Sequence, residues 1–152
     1  EHAFSDLGGP MATDAWLFSN GMILTGFMIV LFGIYLVHAS FNKLTTVGAA
    51  FLMITGMFLT LIGVFPSGTK PHFIVSVLFF AHSDLSILAW GTGLMGGEQN
   101  VFGKIFIGMG LLGPVLTAVI PWPSTAVVEA FGIMIMNVWV ALMYMNPHER
   151  GA

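Results

Sequence analysis

The chain has 152 residues, of which 57% are hydrophobic and only 7% are charged, and its mean hydropathy is +0.92. Soluble domains carry about 25% charged residues, so this composition excludes a water-exposed globule and predicts a single membrane domain over residues 1–152. The formal net charge of −3 and the lack of any basic run argue against a nucleic-acid partner. The absence of cysteine excludes disulfides and thiolate metal sites.

Hydropathy divides the chain into five apolar segments, each about the 20 residues that cross a bilayer core of roughly 30 Å. The predicted spans cover approximately residues 15–37, 47–65, 72–94, 102–120 and 125–145. The connections between them are short and contain the Pro, Gly, Asn and Ser residues that are typical of helix ends. Because short connections make consecutive spans antiparallel neighbours, the sequence predicts an all-α, polytopic transmembrane helical bundle.

The few cations predict an orientation. If the spans alternate in direction, Lys43, Lys104 and Arg150 fall on one side of the membrane and Lys70 falls on the other. The positive-inside rule then makes the first side cytoplasmic. We therefore expect a multi-pass protein of the cell membrane with the N-terminal end of this chain outside and its C-terminus cytoplasmic. The polar start at Glu1, without a methionine, adds the expectation of an upstream span, which would give six.

Glycines recur at a spacing of seven residues in three of the predicted spans. The pairs are Gly26 and Gly33, Gly56 and Gly63, and Gly103 and Gly110. Seven residues are nearly two helical turns, so each pair lies on one helix face and allows close approach of a neighbouring backbone.

A polar cluster lies near the middle of the third span. His82, Ser83 and Asp84 occur in the segment FFAHSDLSILAWG, and Asp84 is roughly 18 Å from the start of the span at 1.5 Å per residue. An ionisable side chain at this depth indicates either a proton-handling or ligand-holding site or an interhelical hydrogen-bond network. His82 and Asp84 point to nearly opposite sides of their helix, so a site here needs groups from other spans. We expect Asp84 to face protein rather than lipid.

A second polar group is predicted at the outer face. Its members are His2, Ser5, Asp6, Asp14, Asn20, His72 and Glu129. Their similar depth makes an outward-facing pocket geometrically possible. Their spacing matches no metal signature, so no metal site is predicted, and no cofactor is indicated.

Four segments together resemble the prokaryotic membrane-protein family catalogued as domain of unknown function 998. They are HAFSDLGGP, LFSNGMILTGFMIVLFG, LIGVFPSGTKPHFIVSVLFF and AVVEAFGIMIMNVWVALM, and they cover most of the chain. The resemblance implies about six spans, with one span ahead of the SDLG-type segment that this chain lacks. It also implies an FP turn before a histidine and an acid in the last helix.

Carried onto this sequence, the family features fall on Ser5, Asp6, Leu7, Gly8, Phe65, Pro66, His72 and Glu129. The resemblance therefore implies that Asp6, His72 and Glu129 belong to one outer-side group. It implies no activity.

These observations favour a non-enzymatic integral membrane protein whose outward-facing polar pocket holds a lipid headgroup or small ligand. The ligand-binding residues would be Asp6, His72 and Glu129 with Ser5 and Asn20, and membrane lipids would be the partners. One alternative is an accessory subunit that binds partner membrane subunits or a second copy of itself. The other is a membrane-embedded hydrolase or proton-coupled transporter, although no serine lies in a nucleophile motif such as GxSxG.

Overall fold

The computed structural model describes residues 3–98 and 100–145. Within these ranges the chain is helical and contains no β-strand, which confirms the predicted all-α bundle. A short 3₁₀ helix, η1 (Phe4–Gly8), precedes the helices α1 (Ala15–Ala39), α2 (Lys43–Val64), α3 (His72–Leu94), α4 (Asn100–Val119) and α5 (Thr125–Met145). All five α-helices are long and apolar enough to cross a membrane. His2 and Arg150, which the sequence assigned to opposite sides, lie outside the described residues.

The helices alternate in direction, so the bundle has two ends. The η1 end carries η1, the α2–α3 connection with Lys70, and the α4–α5 connection. The opposite end, called the lysine end below, carries Lys43 at the start of α2 and Lys104 in the first turns of α4.

Helix α2 begins four residues ahead of its apolar segment because a polar side chain starts it. The side-chain oxygen of Asn42 accepts a hydrogen bond from the backbone N–H of Thr45 at 3.0 Å, which satisfies a donor in the first turn. The side-chain nitrogen of Asn42 donates to the carbonyl oxygen of Gly93 at 2.8 Å. One residue therefore both starts α2 and joins it to the end of α3.

Helices α1 to α4 pack consecutively, each along the next, through glycine contacts. A Cβ atom at Gly26 would lie 2.6 Å from the carbonyl oxygen of Gly56, and one at Gly103 would lie 2.8 Å from the carbonyl oxygen of Gly91. These backbones are in direct contact, as small residues permit in membrane bundles. The glycine faces noted in the sequence are thus occupied within this chain.

Helix α5 is held much more loosely. Trp139 is its only fully buried residue among those described, and its ring packs edge-on against Phe106 of α4 with the ring centroids 6.4 Å apart. The other contacts of α5 are few and involve η1, α4 and α3, and α5 does not pack along α1. A cleft therefore separates α5 from the first three helices.

The backbone contact between α1 and α2 predicts a sharp difference between two glycines of α1. Replacing Gly26 with Ala places a methyl group against the backbone of α2 and should destabilise the protein by about 1–3 kcal/mol, the usual cost of overpacking. Replacing Gly21 with Ala meets no atom within 4 Å and should be neutral or slightly stabilising. Thermal unfolding of the two variants in detergent measures the difference. Equal unfolding temperatures would contradict this packing.

Candidate functional site

The cleft between α5 and the first three helices forms a cavity. Its volume is about 470 Å³. The apolar lining comprises Phe18, Met22, Met28, Ile29 and Phe32 of α1, Leu52, Leu59 and Ile62 of α2, Phe79 and Phe80 of α3, and Ile133, Met136 and Val140 of α5, with Phe4 of η1. The polar lining comprises Ser5, Thr25, Ser76, Glu129 and Asn137. The cleft is therefore mainly apolar, as expected of a ligand cavity between membrane helices.

Three polar side chains gather where the cleft meets the η1 end. Ser76 and Glu129 each lie four residues into their helices, which places both about 6 Å from the helix start. Ser5 of η1 lies at the same end, is only 8% exposed and makes no hydrogen bond to residues 3–98 or 100–145 through its hydroxyl group. Glu129 is the only charged residue among the described residues of the lining. The cleft is thus polar and acidic at one end.

The 3₁₀ helix η1 closes the polar end and is fastened on two sides. The backbone N–H of Phe4 donates to Oε2 of Glu129 at 2.6 Å, which connects η1 to α5. The hydroxyl group of Ser67 donates to Oδ1 of Asp6 at 2.8 Å, which connects η1 to the α2–α3 loop. The other oxygen of Asp6 accepts from the backbone N–H of Ala3 at 2.9 Å. Asp6 therefore holds η1 in place at the edge of the cleft.

His72 lies behind Ser76 rather than in the lining. Its Nδ1 atom is 2.8 Å from the carbonyl oxygen of Phe65. Because a carbonyl can only accept, Nδ1 carries the hydrogen, and Nε2 is the acceptor in the neutral ring. Nε2 lies 3.5 Å from the hydroxyl oxygen of Ser76.

The structure separates the five residues of the predicted outer site. Ser5 and Glu129 line the cleft. Asp6 and His72 support its edge through Ser67 and Ser76, respectively. Asn20 is exposed on α1 and does not line the cleft.

The three residues of the intramembrane cluster on α3 do not share one environment. His82 bonds to the carbonyl oxygen of Leu78, and Ser83 donates to that of Phe79, so both bond within their own helix. Asp84 is half-buried beside α4, where a Cβ atom at Gly113 would lie 3.7 Å from its Oδ1. The carboxylate makes no hydrogen bond within the described ranges, because α4 presents glycine there. The three side chains share no single site.

Among residues 3–98 and 100–145, no group of three or more His, Asp and Glu side chains is placed to hold a metal ion. The polar end of the cleft provides one carboxylate and hydroxyl groups, which suit hydrogen bonding to an organic ligand.

The family model described as "Protein of unknown function (DUF998)" matches residues 1–145. The chain belongs to this family. No curated protein and no solved structure matches the chain significantly. Since the match runs from before η1 to the end of α5, every described residue that lines the cleft lies within the DUF998 domain.

Part of this DUF998 site was not identified from the sequence. Phe4 contributes a backbone N–H, which no side-chain pattern reveals. On α5 the lining residues follow Glu129 at spacings of four, seven, eight and eleven. They are Ile133, Met136, Asn137 and Val140. Residues at these spacings lie on one face of a helix. The face of α5 that carries Glu129 was therefore the sequence signal that could have identified these lining residues.

The bond between Phe4 and Glu129 predicts that Glu129 controls the attachment of η1. Replacing Glu129 with Ala removes the acceptor, so the amides of η1 should exchange with solvent several times faster, because a hydrogen bond to a charged group contributes roughly 1.5–3 kcal/mol before screening by solvent. Hydrogen–deuterium exchange of a peptide covering η1 measures this change. Asn20→Ala, on the exposed face of α1, is the control and should leave the exchange unchanged. Equal exchange in wild type and Glu129→Ala would mean that the bond does not hold η1.

Proposed function

We propose that this integral membrane protein binds one amphipathic, lipid-like molecule in the cleft between α5 and the first three helices. The observation that carries the proposal is the division of the cleft into a long apolar part and one polar end. The apolar part takes a hydrocarbon chain, and the polar end takes the headgroup. The ligand is bound rather than chemically changed.

The size and lining of the cleft support a single hydrocarbon chain. Its volume of about 470 Å³ lies within the range of roughly 300–1,000 Å³ that is usual for small-molecule sites. Along α5 the lining runs from Glu129 to Val140, which is about 16 Å of helix. A hydrocarbon chain in this space contacts aliphatic and aromatic side chains over most of its length.

The cleft also supports entry from the membrane. Met28 on α1 lines the cleft and remains 55% exposed, and Asn137 on α5 lines it and is also exposed. Because α1 and α5 do not pack along one another, the gap between them opens sideways. In a bilayer this opening faces lipid, so a lipid molecule reaches the cleft without crossing water.

The glycine contacts bear on the accessory-subunit hypothesis. That hypothesis uses glycine faces to bind a partner helix, yet Gly26, Gly56 and Gly103 contact backbones of this same chain. The cleft is the surface that remains unfilled. An apolar partner helix seated there would lie against the carboxylate of Glu129 at the polar end. A lipid with a polar headgroup fits both the apolar part and the polar end of the cleft better than a partner helix does.

One contact favours a second function, ester hydrolysis. Nε2 of His72 is placed to accept the proton of the Ser76 hydroxyl group, and the Phe65 carbonyl orients the ring, as a nucleophile–base pair requires. Their separation of 3.5 Å is long for a hydrogen bond, so binding without hydrolysis is the primary proposal. Incubation with mono-oleoylglycerol distinguishes the two. Release of oleate by wild type, and its loss in Ser76→Ala, would establish hydrolysis, whereas recovery of the intact ester supports binding alone.

Two methionines on α5 provide a matched test of lipid binding. Met136 lines the cleft, whereas Met134 is 55% exposed on the outer surface of the helix. We expect wild type to co-purify with about one lipid molecule per chain. Replacing Met136 with Trp fills the cleft, so this variant should lose that lipid, whereas Met134→Trp should retain it. Mass spectrometry of the protein purified in detergent measures the bound lipid, and circular dichroism checks the helical content of both variants.

Equal lipid content in the two tryptophan variants would contradict the proposal. A second copy of the chain seated in the cleft would also overturn it. That arrangement would appear as a dimer in wild type and Met134→Trp but not in Met136→Trp.

The loop charges predict where the polar end of the cleft lies. With Lys43 and Lys104 cytoplasmic, the η1 end faces outward and the headgroup lies near the outer surface of the cell membrane.

The absence of cysteine makes this orientation easy to test. Met11, which is 96% exposed, lies at the η1 end, and Gly96, which has no atom within 4 Å of an added Cβ, lies at the lysine end. In intact cells that express single-cysteine variants, a membrane-impermeant maleimide should label Met11→Cys. It should label Gly96→Cys only after permeabilisation. The reverse pattern would mean that the orientation is inverted.

A further inference from the structure

We infer that the ligand of the cleft has a polar end that donates hydrogen bonds and carries no negative charge, such as an amine or a hydroxyl group. This inference rests on the proposed binding function and specifies its ligand class. It follows from the composition of the polar end, where the described lining residues offer acceptors and include no cation.

Glu129 leaves most of its acceptor capacity unused. A carboxylate has two oxygens and about four lone-pair positions. Oε2 of Glu129 accepts the backbone N–H of Phe4, and Oε1 accepts no hydrogen bond from any described residue. Because Glu129 lines the cleft, a ligand donor is the natural partner for this oxygen.

Two hydroxyl groups at the same end are also available. The hydroxyl group of Ser5 belongs to a side chain that is more than nine-tenths buried, and it makes no hydrogen bond within residues 3–98 and 100–145. Ser76 also differs from other serines of α3. Ser83 donates to the carbonyl oxygen four residues earlier, whereas the described partner of Ser76 is the ring of His72 at 3.5 Å. Both hydroxyl groups can therefore turn toward a ligand, and each can donate or accept.

Nothing in the described lining neutralises an anion. Among residues 3–98 and 100–145, no lysine, arginine or histidine lines the cleft. Lys70 at the η1 end is exposed and does not line the cleft. The N–H of Phe4 is already used by Glu129. A phosphate or carboxylate headgroup would therefore face the carboxylate of Glu129 with no cation of the described lining beside it, so the two negative charges would repel.

An ammonium group gains the most from this arrangement. It supplies up to three donors, and a charge-assisted hydrogen bond to Glu129 is shorter and stronger than a neutral one. A hydroxyl group satisfies the same acceptors without the charge. Both belong to the same ligand class, and a comparison of an amine with an alcohol of the same chain distinguishes them.

Three probes with one common chain test this inference. Oleylamine, oleyl alcohol and oleyl phosphate share their hydrocarbon chain and differ only in the polar end. Each is added to the purified protein in detergent to displace a bound fluorescent long-chain alcohol, which gives an apparent Kd. Wild type should bind oleylamine and oleyl alcohol more tightly than oleyl phosphate, by about tenfold or more for the amine, because a hydrogen bond to a charged group contributes about that factor.

Glu129→Gln keeps the size of the side chain and removes its charge. This variant should lose most of the preference for oleylamine over oleyl phosphate, whereas its affinity for oleyl alcohol should change least. Glu98→Gln is the matched control, since Glu98 is exposed near the lysine end and outside the cleft, and its affinities should equal those of wild type. Circular dichroism confirms that both variants remain helical.

The possible results separate this inference from the proposed function. If all three probes bind equally and Met136→Trp abolishes binding of all three, the cleft binds lipid but the inferred ligand class is wrong. Tighter binding of oleyl phosphate, or an unchanged amine preference in Glu129→Gln, also overturns the inference. If Met136→Trp changes the binding of none of the probes, the proposed function itself fails.

Discussion

The close backbone contact between α1 and α2 is the constraint on which the other features depend. At Gly26 and Gly56 the two helices approach so closely that neither position has space for a Cβ atom. Glycine contacts continue from α2 to α3 at Gly48 and from α3 to α4 at Gly91 and Gly103, so the first four helices form a dense layer. Helix α5 carries no comparable backbone contact with α1, and the space between them becomes the cleft.

Different elements of the fold provide the apolar part and the polar end of the cleft. The spans contribute apolar side chains because they are built to lie in lipid, so most of the cleft is apolar. The polar end requires η1, whose Phe4 amide bonds to Glu129 of α5 and whose Ser5 also lines the cleft. The same bond therefore closes the end of the cleft and leaves an acidic group facing its interior. This asymmetry is the basis of the proposal that the cleft binds an amphipathic ligand.

The sequence predicts the bundle well because hydropathy and length are properties of single segments. It also places Ser5 and Glu129 in the predicted polar group of the outer face, and both side chains line the cleft. It does not reveal the cleft, because the cleft depends on which helices pack together. Asn20 shows that similar depth in the membrane does not place a residue in the cleft. It lies two residues from both Phe18 and Met22, which line the cleft, so its side chain points about 200° away from theirs.

The central claim is that the cleft between α1 and α5 holds one amphipathic molecule in the membrane. An experimental structure of the protein in lipid nanodiscs tests this most directly. The account predicts an elongated non-protein density between Met28 and Met136 that ends beside Glu129. A cleft closed by direct packing of α5 on α1, or filled by a polypeptide helix, would contradict it.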